Sequence, residues 1–258
     1  MDWVDAMHQG QHQRRWNFGC DRVGFAVGDI HGRSDLLVRL FDQLEEVAER
    51  ESLADPIVFF LGDYVDRGPD SAGVLELMAS GRPHGFERRC LKGNHDQAMQ
   101  NFLANPTRTS GWLHYGGLDT LISFQVRPPS LGASETVLED TAKALRDALN
   151  ARQMAFLEGL ENMVVHGDYV FAHAGVDPER SLDEQNEFDL CSIRERFLES
   201  ELPFSHCVVH GHTPRSAPYR DAWRIGVDTG AYYSNVLSGV RLEREDATFF
   251  SILASRAR

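Results

Sequence analysis

Five short segments place acids, amides or imidazoles beside glycine: Gly28-Asp29-Ile30-His31-Gly32, Gly62-Asp63-Tyr64-Val65-Asp66-Arg67-Gly68, Gly93-Asn94-His95-Asp96, His173 followed by Ala174-Gly175, and His210-Gly211-His212-Thr213. Glycine lets backbone and side chain crowd closely around a charged centre. Two divalent cations about 3.5–4 Å apart need a bridging anion and several hard oxygen or nitrogen ligands, and such a pair can clamp the entering and leaving oxygens of a displaced phosphoryl group. This chain offers one such set. Asp29 and His31 bind the first metal, Asp63 bridges, and Asn94, His173 and His210 complete the second. No cysteine stands among these ligands, which points to manganese first, with iron or zinc as the other candidates, and away from a thiolate site.

A water shared by two such ions has a lowered pKa, so hydroxide becomes the nucleophile expected near neutral pH. The leaving alkoxide then needs a proton, and His95, next to Asn94, is placed to give it. Asp66, three residues after Asp63, orients that imidazole and keeps it protonated. Arg67 offers a planar guanidinium fork for phosphate oxygens, with Asn94 beside it. A second clamp falls to Arg194, with Arg196 as the competing choice in Ser192-Ile193-Arg194-Glu195-Arg196. Taken singly, a Gly-Asp after an apolar run is a turn, His173 is a core histidine and an arginine is a surface ion pair. The ordered combination favours the chemical reading. His114, His166, His206 and His212 fall to structural or supporting roles.

The elements that must position these residues repeat. Val23 to Val27 is an apolar run ending in Gly28-Asp29, and Leu36 to Val47 follows with helical spacing. Ile57 to Leu61 ends in Gly62-Asp63 and precedes a helix over Ser71 to Ala79; Arg89 to Leu91 leads into Gly93-Asn94 and a helix from Asp96 to Leu103. The tips recur about every thirty residues, the length of a βαβ unit. All three therefore lie at the carboxyl ends of neighbouring parallel strands, where open α/β sheets bind their ligands. Residues 105–161 read as a helical insertion beside the mouth of the site, with an amphipathic helix over Thr136 to Leu149.

The second half reads as strands Met163 to Val165, Tyr169 to Ala172, Cys207 to Val209, Trp223 to Val227, Val236 to Leu242 and Thr248 to Leu253, with a helix over Leu182 to Leu198. Two mixed sheets flanked by helices make a four-layer α/β/β/α sandwich. One domain is expected over 1–258, with an ordered core over about 23–253.

Composition narrows the partners. With 258 residues, 42% of them hydrophobic and 25% charged, the chain can bury one sizeable core without staples. Its formal net charge of −13 disfavours nucleic acid, so a phosphate must be drawn by a local positive site. Cysteines 20, 90, 191 and 207 form no Cys-x-x-Cys pair and read as reduced and mostly buried thiols. The polar run Met1 to Phe18 is unlike a signal peptide, and no segment approaches the roughly 20 apolar residues of a membrane helix. A cytoplasmic protein without a membrane partner is expected; the oligomeric state is not written in the sequence.

Gly-Asp-x-His-Gly, Gly-Asp-x-x-Asp-Arg-Gly, Gly-Asn-His-Asp, a lone His and His-Gly-His-Thr, in this order, resemble the calcineurin-like metallophosphoesterase superfamily. The Asp-Arg-Gly form resembles its phosphoprotein phosphatase family, in the compact bacterial and phage branch. The resemblance spans roughly Val23 to Asp228. It implies the metallophosphoesterase fold, the ligands Asp29, His31, Asp63, Asn94, His173 and His210, His95 as general acid with Asp66 as its partner, and Arg67 and Arg194 on the phosphate. The segment from Trp112 to Gly117 is similar to an element of the bacterial family and is expected near the substrate mouth; Ile225 to Gly230 is similar to the family's strand-end turn. Three functions compete. A serine/threonine protein phosphatase or broad phosphomonoesterase uses direct attack by hydroxide on a phosphorylated protein or small phosphoester. A symmetrical dinucleoside polyphosphate hydrolase, such as one for diadenosine tetraphosphate, cuts an anhydride, and such enzymes tend to carry Ala in place of the second Asp of the motif, so Asp66 favours the phosphatase. The third is an inactive metal-bound binding module, against which the complete ligand and acid set weighs.

Overall fold

The computed structural model describes residues 15–19, 22–202 and 204–254. Most of the N-terminal run read as unlike a signal peptide, together with Cys20, lies outside the described residues. Strand β1 (Val23–Val27) is buried along its length. Its alternating side chains split between two cores: Val23, Phe25 and Val27 join one and Ala26 the other, because successive strand residues point to opposite faces. Helix α1 (Ser34–Glu51) packs Leu36, Leu37, Leu40, Phe41, Leu44 and Val47 on one face. It stops at Ser52, whose left-handed backbone (φ 53°) returns its N–H to the carbonyls of Ala48 and Glu49.

Strand β2 (Ile57–Phe60), helix α2 (Ser71–Ala79), strand β3 (Glu87–Cys90) and helix α3 (Asn94–Ala104) follow. The Asp70 carboxylate caps α2 by accepting from the Gly73 N–H at 2.9 Å. The 105–161 segment is helical, as expected: α4 (Pro106–Thr109), a 3₁₀ turn (Ser110–Tyr115), α5 (Gly117–Ser123), α6 (Glu135–Ala148) and α7 (Ala151–Glu158).

Strands β4 (Met163–His166) and β5 (Tyr169–Ala172) make the expected hairpin. Helices α8 (Glu187–Ser192) and α9 (Glu195–Leu198) precede β6 (Cys207–His210), β7 (Tyr219–Arg220) and β8 (Arg224–Gly226). A short helix α10 (Ala231–Ser234) then leads to the long hairpin β9 (Val236–Glu243) and β10 (Asp246–Leu253). The continuous helix expected over Leu182 to Leu198 is instead a 3₁₀ turn (Leu182–Glu184) followed by the separate short helices α8 and α9. Asn186 caps α8, accepting from the Asp189 N–H at 2.9 Å, and Ile193 (ψ 143°) and Arg194 (φ −132°, ψ −104°) leave helical geometry before α9. Local capping and the Asp189–Arg196 bond at 2.6 Å override the apolar spacing.

The first sheet runs β10-β9-β1-β2-β3 and the second β4-β5-β6-β8-β7. Strands β1, β2 and β3 pair in parallel, as do β5, β6 and β8, while β9 and β10 on one sheet and β4 and β7 on the other are antiparallel. The sheets meet face to face. Phe59 and Phe171 stack with ring centroids 3.7 Å apart, and removing a ring of this kind costs about 3–5 kcal/mol. With helices on the outer faces, this is the mixed α/β architecture read from the sequence. Both sets of parallel strands turn their carboxyl ends to the same edge, and the five segments meet there. No helix among the described residues is long and apolar enough to cross a membrane.

Candidate metal centre

Asp63 sits at the middle of the strand tips. It is buried, follows β2 and takes a left-handed backbone (φ 52°). Two glycines permit the crowding: a Cβ on Gly62 (φ 103°) would lie 2.5 Å from the Gly93 nitrogen, and one on Gly93 would lie 2.0 Å from Asp63 Oδ1. That same oxygen accepts from the His95 N–H at 2.9 Å. Asp96 holds the arrangement from below. Its buried carboxylate accepts from the N–H groups of Asp63 at 2.8 Å, Tyr64 at 3.0 Å and Gly93 at 2.9 Å, so one side chain of α3 fixes the turns after β2 and β3.

Imidazoles flank Asp63 on both sides. His31 donates from Nδ1 to the Val65 carbonyl at 2.8 Å, which leaves Nε2 as a lone-pair donor 3.5 Å from Asp63 Oδ2. His173 repeats the device, giving Nδ1–H to the Leu61 carbonyl at 2.8 Å and turning Nε2 to the same Asp63 oxygen at 3.5 Å and to Asn94 Oδ1 at 3.1 Å. A backbone carbonyl on one ring nitrogen is what selects the tautomer of a metal-binding histidine. His31, Asp63 and His95 offer ligand atoms mutually within 4.8 Å, and so do Asp63, His173 and His212. Asp63 belongs to both groups, the topology of a bridge.

His210, expected in the second group, is not there. It is the last residue of β6, where it pairs with Gly226, and its ring packs edge-on against Phe197 with Nε2 2.8 Å from the Tyr219 hydroxyl and Nδ1 3.0 Å from the Gly211 carbonyl. His212, assigned from the sequence to a supporting role, occupies the position instead. It lies beyond the strand end, its N–H reaches both Asp29 oxygens at 3.1 Å, and its Nε2 is buried with no hydrogen-bond partner among the described residues. The correction follows from the period of the strand: the residue still in the ladder packs sideways, and the one past the glycine turns toward the tips.

The electrostatics fit a cation. Burial, then the neighbouring Asp228 and Asp63 carboxylates, push Asp29 well above the ordinary aspartate range. Burial also keeps the nitrogen donors uncharged: His31 falls to about 3 and His212 to about 2, in the latter case with the nearby His173 adding to the effect. Clustered acids out of water are neutralised by protons or by metal ions. The neutral imidazoles and the orphaned His212 nitrogen match the ions. Asp228, legible as a plain turn residue, is a buried neighbour of Asp29, raised to about 6 chiefly by burial.

His95 answers to a different set of partners. Its Nδ1 lies 2.7 Å from Asp66 Oδ2. Burial opposes a charge on the ring, but the Asp63 and Asp66 carboxylates outweigh it and hold the imidazole above its ordinary value. Asp66 is itself raised by burial. We place the shared proton on His95, because Asp66 also accepts from Trp112 Nε1 at 2.8 Å and from Thr120 Oγ1 at 2.7 Å, and an indole N–H can only donate. The Trp112 segment, expected at the substrate mouth, thus turns its ring inward, where it is buried.

Arg67 is exposed on the rim with Nη1 3.4 Å from His31 Nε2, its guanidinium 5.2 Å from the centroid of Tyr232. Tyr232, which sequence reasoning missed, also stands edge-to-face with His31, with ring centroids 5.4 Å apart. The buried Arg33 secures that turn through the Ala231 carbonyl at 2.7 Å and Asn235 Oδ1 at 2.8 Å. Of the two other arginines, Arg196 is engaged by Asp189 at 2.6 Å and Asp177 at 3.3 Å. Arg194 is exposed at the break between α8 and α9, and its charge is felt at His173 and His212. Five of the residues assembled here hold left-handed backbone without being glycine: His31 (φ 43°), Asp63 (52°), Asp66 (74°), Arg67 (67°) and His212 (63°). Cys191 and Cys207 are buried, with burial pushing both thiols to about 12, and take no part.

Comparison with known proteins agrees with this architecture. Residues 25–239 match the calcineurin-like phosphoesterase family model. The chain is 27% identical over 247 residues to serine/threonine-protein phosphatase 1 of Salmonella typhimurium, covering 93% of this chain and 98% of that one. It is 35% identical over 223 residues to the symmetrical bis(5'-nucleosyl)-tetraphosphatase of Paracidovorax citrulli, covering 84% of this chain and 65% of the other. Among solved structures, a cold-active protein-tyrosine phosphatase of a Shewanella species superposes with a TM-score of 0.58 at 17% identity, over 91% of this chain and 82% of that one, a likeness of fold.

Proposed function

The chain belongs to the calcineurin-like phosphoesterase family, and on that premise we propose that it is a dinuclear-metal phosphomonoesterase whose substrates are phosphoserine and phosphothreonine in proteins. In this reading Asp29 and His31 would hold one ion, Asn94, His173 and His212 the other, and Asp63, common to both groups, would serve the two. Manganese suits this oxygen and nitrogen set, with iron or zinc as alternatives. When bound, such a pair supplies Lewis acidity and a nucleophile available near neutral pH. Arg67, Arg194 and Asn94 hold the phosphate oxygens. His95 gives its Nε2 proton to the departing oxygen while Asp66 keeps Nδ1–H in place.

The observation that carries the substrate class is the His95–Asp66 pair at 2.7 Å. A serine or threonine alkoxide is a poor leaving group and leaves only with a proton, whereas a phosphate leaving from an anhydride needs that help far less. A buried, oriented acid is therefore machinery for monoesters. The likeness to a symmetrical tetraphosphatase keeps hydrolysis of dinucleoside tetraphosphates as the second reading.

Manganese-dependent hydrolysis of a phosphoserine peptide and of diadenosine tetraphosphate, measured side by side with His95→Asn as control, separates the two. Faster peptide cleavage that the variant loses supports the monoesterase. Preference for the dinucleotide moves the activity to anhydrides, and turnover of neither leaves a binding module.

A further inference from the structure

We infer that Trp112 and Thr120, carried in by the 105–161 insertion, are positioning residues of the proton donor, holding both oxygens of Asp66 so that the carboxylate faces His95. The inference rests on the monoesterase reading for its catalytic consequence, though its geometry stands apart from it. Asp66 has no exposed surface. Its Oδ1 accepts from the Thr120 hydroxyl at 2.7 Å, and its Oδ2 accepts from both Trp112 Nε1 at 2.8 Å and His95 Nδ1 at 2.7 Å. The Asp66 N–H is fixed as well, lying 3.0 Å from Ser71 Oγ and 3.0 Å from Thr120 Oγ1. Thr120 therefore bonds both ends of the residue.

A merely satisfied core would look different. A buried indole needs one acceptor, and any carbonyl would serve. Here the acceptor is the oxygen that faces the imidazole, and the second donor takes the other oxygen, so rotation of the carboxylate about its Cβ–Cγ bond breaks at least one strong bond. The donors come from two different elements, the 3₁₀ turn Ser110–Tyr115 and helix α5. Without the insertion, His95 would keep a carboxylate neighbour but not its aim. The insertion thus completes the acid that cleavage of a poor leaving group demands, and the strand tips alone do not.

The test uses the full chain loaded with manganese. Thr120→Val keeps shape and removes the hydroxyl, Thr120→Ser restores it, and Trp112→Phe removes the indole N–H while leaving a ring to pack against Phe102, whose centroid lies 4.9 Å from that of Trp112. With Thr120→Val and Trp112→Phe, turnover of a phosphoserine peptide should fall about 10–100-fold, the usual range for losing an outer hydrogen bond to a reacting group. Turnover of p-nitrophenyl phosphate, whose leaving group needs no proton, should fall far less, metal content should be unchanged, and Thr120→Ser should behave as the parent. The second readout needs no catalysis and uses diamagnetic zinc in place of manganese: in zinc-loaded protein labelled with ¹⁵N-histidine, the far-downfield proton of His95 Nδ1 should shift in Thr120→Val and Trp112→Phe and hold in Thr120→Ser. Equal losses on both substrates, or an unmoved resonance, would overturn the inference. A resonance that moves in a parent inactive on either substrate would leave the positioning intact and sink the reaction instead.

Discussion

The two sheets meet at the same edge but bring different chemistry to it. The tips after β1, β2 and β3 carry the carboxylates Asp29 and Asp63, the Asn94 amide and the proton donor His95, while the tips after β5 and β6 carry only imidazoles, His173 and His212. The first sheet therefore carries most of the negative charge at this edge, to which Asp228 past β8 of the second sheet adds, and also the His95–Asp66 pair of the proposed proton donor. The second supplies neutral nitrogen donors whose low basicity comes from burial. A site assembled in this way holds its histidines in opposite states: His95 is pushed toward the protonated form, and His31, His173 and His212 toward the neutral one, as the proposed reaction requires. The separation is achieved by partners, since His95 faces Asp66, whereas His31 and His173 face backbone carbonyls.

Substitutions can break this contrast in graded steps. Asp63→Asn removes the one carboxylate common to both groups, and elemental analysis should find both metals weakly held with turnover abolished; an unchanged metal count would rule out the bridge. His212→Ala strikes the second sheet alone and should deplete one ion of the pair. His95→Asn should leave metal content intact and lower turnover of alkyl phosphates within the ~10²–10⁴-fold typical of an acid catalyst, with smaller losses on activated aryl phosphates. His210→Ala has the least bearing on chemistry: metal content should be kept, and thermal unfolding should report a loss of about 1–3 kcal/mol for the stranded Tyr219 hydroxyl and the lost packing.

The same position sharpens the comparison through pH. Burial lowers His210 from 6.5 to about 4. Its neutral form is favoured in the folded state, so the stability it lends is full above pH 6.5 and is lost as pH falls toward 4, where the unfolded chain has already taken up the proton. The stability gap between the parent and His210→Ala, measured by denaturant unfolding of metal-free protein, should fall by roughly 3 kcal/mol across that interval, enough to close or invert it. A gap that is constant with pH would contradict a buried neutral imidazole.

The first half of the site was legible because β1 and β2 are apolar runs and, after all three strands, the chemistry follows in a glycine turn. That punctuation sets Asp29, His31, Asp63, Asn94 and His95 just past the ends of β1, β2 and β3. His-Gly-His was misread because both histidines look equivalent as letters, and only the ladder distinguishes them. Every residue the structure groups at the tips lies one to five positions past the end of its strand, from His173 after Ala172 to His95 after Cys90. His210 is still inside β6. The strand expected over Cys207 to Val209 stops one residue short of the observed one, which is why His210 passed for a tip residue. Asp96, Trp112, Thr120 and Tyr232 are different, since their roles depend on contacts across long stretches of sequence and on an insertion whose helices carry no local sign of where they dock. The helix expected over Leu182 to Leu198 failed for a related reason: apolar spacing persists through Ile193 and Arg194 while caps and an ion pair decide the backbone.

The left-handed backbone at His31, Asp63, Asp66, Arg67 and His212 has a bearing on how this molecule would respond to selection. Each such residue is held at about 1 kcal/mol or more above its relaxed conformation, and glycine at the same place is free of that burden. Selection for heat resistance alone would therefore act unevenly along this edge: the exposed Arg67 could be relieved by Arg67→Gly. At the buried Asp63 and Asp66 the same change would strand the donors their carboxylates satisfy, so there the strain and the hydrogen bonds are locked together.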